Sequence, residues 1–189
     1  MAETIKDGTG TGNLAKVNSD NELLVLADTV PHLASVSEGQ KKAFYIRTDF
    51  VPLTSTGIFS GIVYVKNDTT TDEAIKIQQL RTCSNVVSQW KLIRNPTTGT
   101  LISTGTASQT YNLNTGGQDL TATTIKIGAD SSTVTDGDLW ATWQNGVGHS
   151  TGYLEGAIII AAGDSFALTC KPAAAGDVCS SILITMNGN

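Results

Sequence analysis

The chain has 189 residues and a net charge of −5. Charged and aromatic side chains are few, and 27 Thr, 15 Ser, 11 Asn and 19 Gly stand in their place. One domain of this length buries a sizeable core. Scarce Glu, Lys and Arg exclude long soluble helices, abundant Thr, Val and Ile exclude disorder, and an acidic chain whose only basic pair is Lys41-Lys42 excludes a phosphate-reading nucleic-acid surface.

Residues 1–40 carry local apolar anchors (Ile5, Leu14, Val17, Leu23 and Leu24) between Gly-, Asn- and Asp-rich turns, with little periodic pattern. They read as an extended N-terminal arm laid on this domain or on a neighbouring subunit. From Lys41 to the end, strand signals are dense. Phe44, Ile46 and Phe50 alternate with polar residues. Ile62–Val65 is apolar on both faces, as in a central strand. Ile75 and Ile77, then Trp90 and Leu92, alternate again, and Asn95-Pro96-Thr97-Thr98-Gly99 is a turn. Thr100–Thr121 reads as weak strands and a long surface loop. Thr124–Ile127, Leu139–Trp143 and Ala157–Ala162 are further strand candidates, and Ser165–Cys170 and Ser180–Met186 form a final pair joined by a turn over 171–178.

Eight to ten short strands without a fixed-period repeat predict an all-β fold. The expected form is an antiparallel β-sandwich or jelly-roll-like domain over residues 41–189, preceded by the arm over 1–40. The most apolar run, Ala157–Ala162, is far short of the roughly 20 residues that cross a bilayer. No apolar stretch follows Met1, so no secretory signal and no membrane partner are expected.

Each chemical motif has a plain alternative. Gly8-Thr9-Gly10-Thr11-Gly12 lacks the strand, helix and lysine of a phosphate loop and reads as flexible arm. Asp130, Asp136 and Asp138 share one loop. Their spacing departs from a calcium loop, and Asx-turns account for them. His32 and His149, the two histidines, read as solvated loop residues, with no nucleophile motif beside them. Asn67-Asp68-Thr69 matches a glycosylation sequon but reads as a turn. Trp90 reads as core. Trp140 and Trp143 have opposite strand parity, so at most one should face the core and the other is a candidate subunit contact or ligand platform. Cys83, Cys170 and Cys179 read as buried free thiols of a reducing compartment. A Cys170–Cys179 bond is disfavoured because alternation turns the two sulfurs to opposite faces. No catalytic, metal or cofactor constellation emerges.

Ile5-Lys6-Asp7-Gly8-Thr9-Gly10-Thr11-Gly12-Asn13-Leu14-Ala15-Lys16-Val17, followed by a polar turn and Leu23, resembles the N-terminal segment of structural proteins of tailed-bacteriophage virions. Val65-Lys66-Asn67-Asp68, Arg94–Ile102 and Gly163–Thr169 are similar to the same group. The resemblance implies a β-sandwich decoration or cement protein on the outer capsid surface, made in the bacterial host cytoplasm. Its expected partner is the major capsid protein. A homo-oligomer is also implied, a trimer before a dimer, with no enzymatic activity and no cofactor. A tail or baseplate component, or a carbohydrate-binding module using Trp140 and Trp143, is the alternative.

Overall fold

The computed structural model describes residues 42–54, 57–70, 73–114, 117 and 120–187, together with the backbone of three short strands nearer the N-terminus. Those are β1 (Ile5–Lys6), β2 (Leu14–Val17) and β3 (Leu23–Leu24). They form a three-stranded antiparallel sheet in the order β1-β2-β3, with Ile5 opposite Ala15 and Val17 opposite Leu23. The chain divides into two compact units, Met1–His32 and Leu33–Asn189. In the first, the described segments of the arm pair with one another.

The second unit is a β-sandwich. One sheet contains β4 (Ala43–Arg47), β5 (Val51–Leu53), β7 (Ala74–Ser84), β10 (Tyr111–Asn112), β13 (Gly148–Ile160) and β15 (Gly176–Asn187). Its order is β10-β4-β15-β7-β13, and β5 also pairs with β15. The other contains β6 (Ser60–Asn67), β8 (Ser88–Arg94), β9 (Thr106–Ser108), β11 (Thr123–Ile127), β12 (Asp138–Asn145) and β14 (Ser165–Pro172), in the order β12-β8-β14-β6-β11-β9. Every pairing is antiparallel, as hydrophobic-in, polar-out alternation favours.

Among the described residues, the twelve strands of the sandwich exceed the eight to ten expected. The surplus comes from β5, β9 and β10, two or three residues each, too short to show a period. The final strand pair is also corrected. β14 and β15 lie in different sheets, so the turn between them crosses the sandwich and closes no hairpin. His149, expected in a loop, stands on β13 opposite Cys83.

The core lies between the sheets. Trp90, Phe166, Leu168, Ile46, Ile75 and Ile182 are fully enclosed there. Each such side chain contributes roughly 1.5–3 kcal/mol of transfer free energy. β6 is apolar on both faces for two reasons. Ile62, Val63 and Val65 face the main core, whereas Tyr64 joins Ala167 and Leu101 in a small second cluster on the outer side. Leu101 comes from α1 (Thr100–Thr104), a single turn in the segment expected to be loop. The helix sits so close that a Cβ on Gly61 would lie 2.7 Å from Leu101 Cδ2, which fixes glycine there.

Candidate functional site

The aromatic edge is built by β12. Leu139 pairs with Ile93 and Ala141 with Leu92, so Trp140 is an extra residue, a β-bulge. The bulge resets the alternation. Trp140 and Trp143, expected on opposite faces, both lie half-buried against the main core. This corrects the parity argument: one inserted residue moves everything beyond it to the other face. Trp143 stacks on Trp90, with ring centroids 6.5 Å apart and planes 10° from parallel. Trp90 is anchored in turn, its Nε1–H donating to Ser88 Oγ at 2.9 Å. The Arg94 guanidinium lies 5.7 Å from the Trp140 ring centre. Both candidate platforms therefore spend one ring face on a protein partner. Beside Trp143 an apolar crevice of about 270 Å³ opens between the sheets, walled by Leu80, Leu92, Leu154 and Ile158.

Around this edge large apolar side chains stand in water. Tyr153 and Val147 are more than 70% exposed, and Leu139 and Ile159 more than half. Sequence reasoning passed over Tyr153 and Val147. The available signals were the outward parity of Tyr153 on β13 and the glycines flanking Val147. Phe50, on the loop between β4 and β5, is 71% exposed.

The cysteines differ from expectation. Cys83 of β7 and Cys179 of β15 are directly opposed, 5.1 Å apart at Cα, and form a disulfide across 96 residues of sequence. Both point to the outer face of the sheet and are half-buried, so the expectation of three free thiols is overturned. The register explains it: Cys179 has the parity of Ser181, and its cross-strand neighbour on that face is Cys83. Cys170 remains a free, buried thiol of the core. Burial pushes it up to about 12, against a smaller opposing hydrogen bond from Ser88.

The acidic loop residues are engaged locally. Asp136 Oδ1 accepts from the Thr97 and Thr98 N–H groups at 2.9 Å, and its Oδ2 accepts from Thr97 Oγ1. The Thr97 hydroxyl leads in drawing this carboxyl down to about 2. Asp130 accepts from Thr54 Oγ1, and Asp138 opens β12 opposite Arg94. Among the described residues no three His, Cys, Asp or Glu side chains converge as a metal site. Asn67 ends β6 fully buried. Its Nδ2 donates to Glu73 O at 2.9 Å and Ile160 O at 3.1 Å, and its Oδ1 accepts from Thr69 N and Oγ1. A glycan could not be attached at that nitrogen in the folded chain.

The arm anchors Ile5, Leu14, Val17, Leu23 and Leu24 fall on β1, β2 and β3 by backbone, while their side chains lie outside the described residues. So do His32 and the Gly8–Gly12 run. Comparison of the chain with protein-family models, curated proteins and solved structures finds no match.

Proposed function

We propose that this chain is a structural protein of a tailed-phage virion that decorates the outer capsid surface and cements it by bridging capsomers. The observation that carries the reading is the arm. The segments Ile5–Lys6, Leu14–Val17 and Leu23–Leu24, which hold the phage-like pattern, are also the ones that pair as strands. Short paired strands have edges with free backbone groups, and a neighbouring protein adds to such an edge with little need of side-chain specificity. On a symmetric shell, modest contacts of this kind multiply through multivalency.

Two further features support the reading. The exposed Leu139, Val147, Tyr153 and Ile159 supply apolar contact area on the sandwich itself. The half-buried Cys83–Cys179 disulfide suits a virion surface, which is oxidising once the particle leaves the reducing cytoplasm of its host. The partners in this reading are the major capsid protein and further copies of the chain, a trimer before a dimer.

The test is co-sedimentation of the full chain with purified heads of the phage that encodes it. Leu14→Asp with Val17→Asp should abolish co-sedimentation and heat protection of the shells, while the sandwich unfolds as before. Equal binding by the variant would show that the arm is not the attachment element.

A further inference from the structure

The outward face of the sheet β10-β4-β15-β7-β13 carries an unusual charge arrangement. Ser181 of β15 is opposed by Arg47 of β4 on one side and by Arg81 of β7 on the other. The two arginines thus flank one serine from strands two apart, about 9–10 Å between Cα atoms at the usual strand spacing. Both are exposed. The other cations of the described residues are mostly engaged. Lys42 pairs with Glu73 and Lys66 with Asp68, each at 2.7 Å. Lys91 and Lys171 lie over the Phe59 ring, Arg94 lies over Trp140, and Lys126 donates to main-chain carbonyls. Among the described residues Arg47 and Arg81 have no ion-pair partner, nor has Lys76, which lies further along the same sheet opposite Thr185.

The arginines also line a groove. Three adjoining concavities of about 640, 480 and 330 Å³ share Arg47 and extend over Tyr45, Ser181, Arg81 and Tyr111 to Phe50. Among the described residues two carboxylates lie on the lining, both toward the Phe50 end. Asp130 already accepts from Thr54 Oγ1, and Asp49 is exposed beside Phe50. Among the described residues, the stretch from Tyr111 through Arg47 and Ser181 to Arg81 carries no carboxylate.

We infer that this groove is a docking surface for an acidic polypeptide segment, whose carboxylates sit between the Arg47 and Arg81 guanidiniums while its neighbouring side chains rest on Tyr45, Tyr111 and Phe50. A guanidinium presents a planar fork that matches a carboxylate with two parallel hydrogen bonds, and the Ser181 hydroxyl adds a donor between the two forks. The aromatic rim favours a polypeptide over a simple anion. Phe50 offers a hydrated anion nothing, whereas arginine beside tyrosine and phenylalanine is the composition of protein interfaces. β4, β15 and β7, which carry Arg47, Ser181 and Arg81, have neighbours on both sides, so recognition between the two arginines runs through side chains. The inference does not depend on the arm or on the shell.

The test is titration of the isotope-labelled full chain with a ten-residue glutamate peptide, followed by amide chemical shifts at low salt. Saturable shifts are expected at Tyr45, Arg47, Arg81 and Ser181, with affinity falling as salt rises. Arg47→Gln with Arg81→Gln should weaken binding about tenfold, the scale of two exposed charge pairs. Asp49→Asn should tighten it and Arg94→Gln should leave it unchanged. Absence of saturable shifts would overturn the inference, as would equal loss in Arg94→Gln. So would tighter saturation of the same residues by inorganic phosphate or by a uronic-acid oligosaccharide.

Discussion

Replacing Asn67 with alanine removes four side-chain hydrogen bonds from a fully buried node that ties the end of β6 to the start of β7 and the end of β13. The Ile160 carbonyl loses its bond from Nδ2, and the Thr69 N–H and hydroxyl lose their acceptor. Glu73 O keeps a bond from Thr69 Oγ1 at 3.2 Å. Buried bonds of this kind contribute roughly 1 kcal/mol each, and Thr69 recovers part of its loss from water. The expected cost is therefore about 3 kcal/mol. For a domain of this size that lowers Tm by about 6–12 °C. Asn67→Asp keeps the shape but turns an acceptor toward two carbonyls, so at pH 7 it should cost more than alanine. Burial beside carbonyls raises the folded-state pKa of such an aspartate above its unfolded value near 3.9. Its penalty is then small below about pH 4 and grows as pH rises toward the folded pKa. Urea unfolding of the three proteins at pH 4 and pH 7, with unchanged m-values, measures this. A cost for alanine under 1 kcal/mol, or an aspartate penalty independent of pH, would refute the reasoning.

Cys83→Ser should destabilise the chain by about 2–5 kcal/mol, the range for closing a loop near 100 residues, and thiol titration of the unreduced, denatured protein should find one thiol per chain. That thiol, Cys170, should resist modification in the native protein up to about pH 10. Its folded pKa lies above its unfolded one, so its contribution is complete below about pH 9 and declines as pH rises toward about 12, which alkaline unfolding would detect. Asp136 has its pKa lowered to about 2, so the stability it supplies is present above about pH 3.8 and lost as pH falls through about 2. Asp136→Asn should flatten that acid limb in thermal melts. Trp90→Ala should cost about 3–5 kcal/mol and Trp143→Ala less, because Trp143 is only half-buried, as chemical denaturation would show.

What the sequence revealed was whatever repeats at short range. The alternation of β4, β7 and β8 and the doubly apolar run in β6 were legible, because a sandwich core selects residues two positions apart. Trp90 and Cys170 read as core for the same reason. What escaped depends on the register between distant strands. The Trp140 bulge is one residue, invisible in β12 alone, yet it decides which way Trp140 and Trp143 point. Ile62 on β6 and Gln78 on β7 are unpaired insertions of the same kind. The Cys83–Cys179 bond joins strands whose neighbourhood no local pattern announces. The Arg47–Ser181–Arg81 row arises only when β4, β15 and β7 lie side by side, since Arg47 and Ser181 are 134 positions apart in sequence. The arm anchors were legible as apolar residues, but their pairing within one small sheet was not.

The central claim concerns where the protein sits. Electron microscopy of phage heads that lack this protein, before and after incubation with it, tests the proposed function most directly. The account predicts added density on the outer shell, repeated at the junctions between capsomers. It also predicts that this density is absent when heads are incubated with Leu14→Asp, Val17→Asp. Density confined to the tail or baseplate, or heads unchanged after incubation with the wild-type chain, would contradict it.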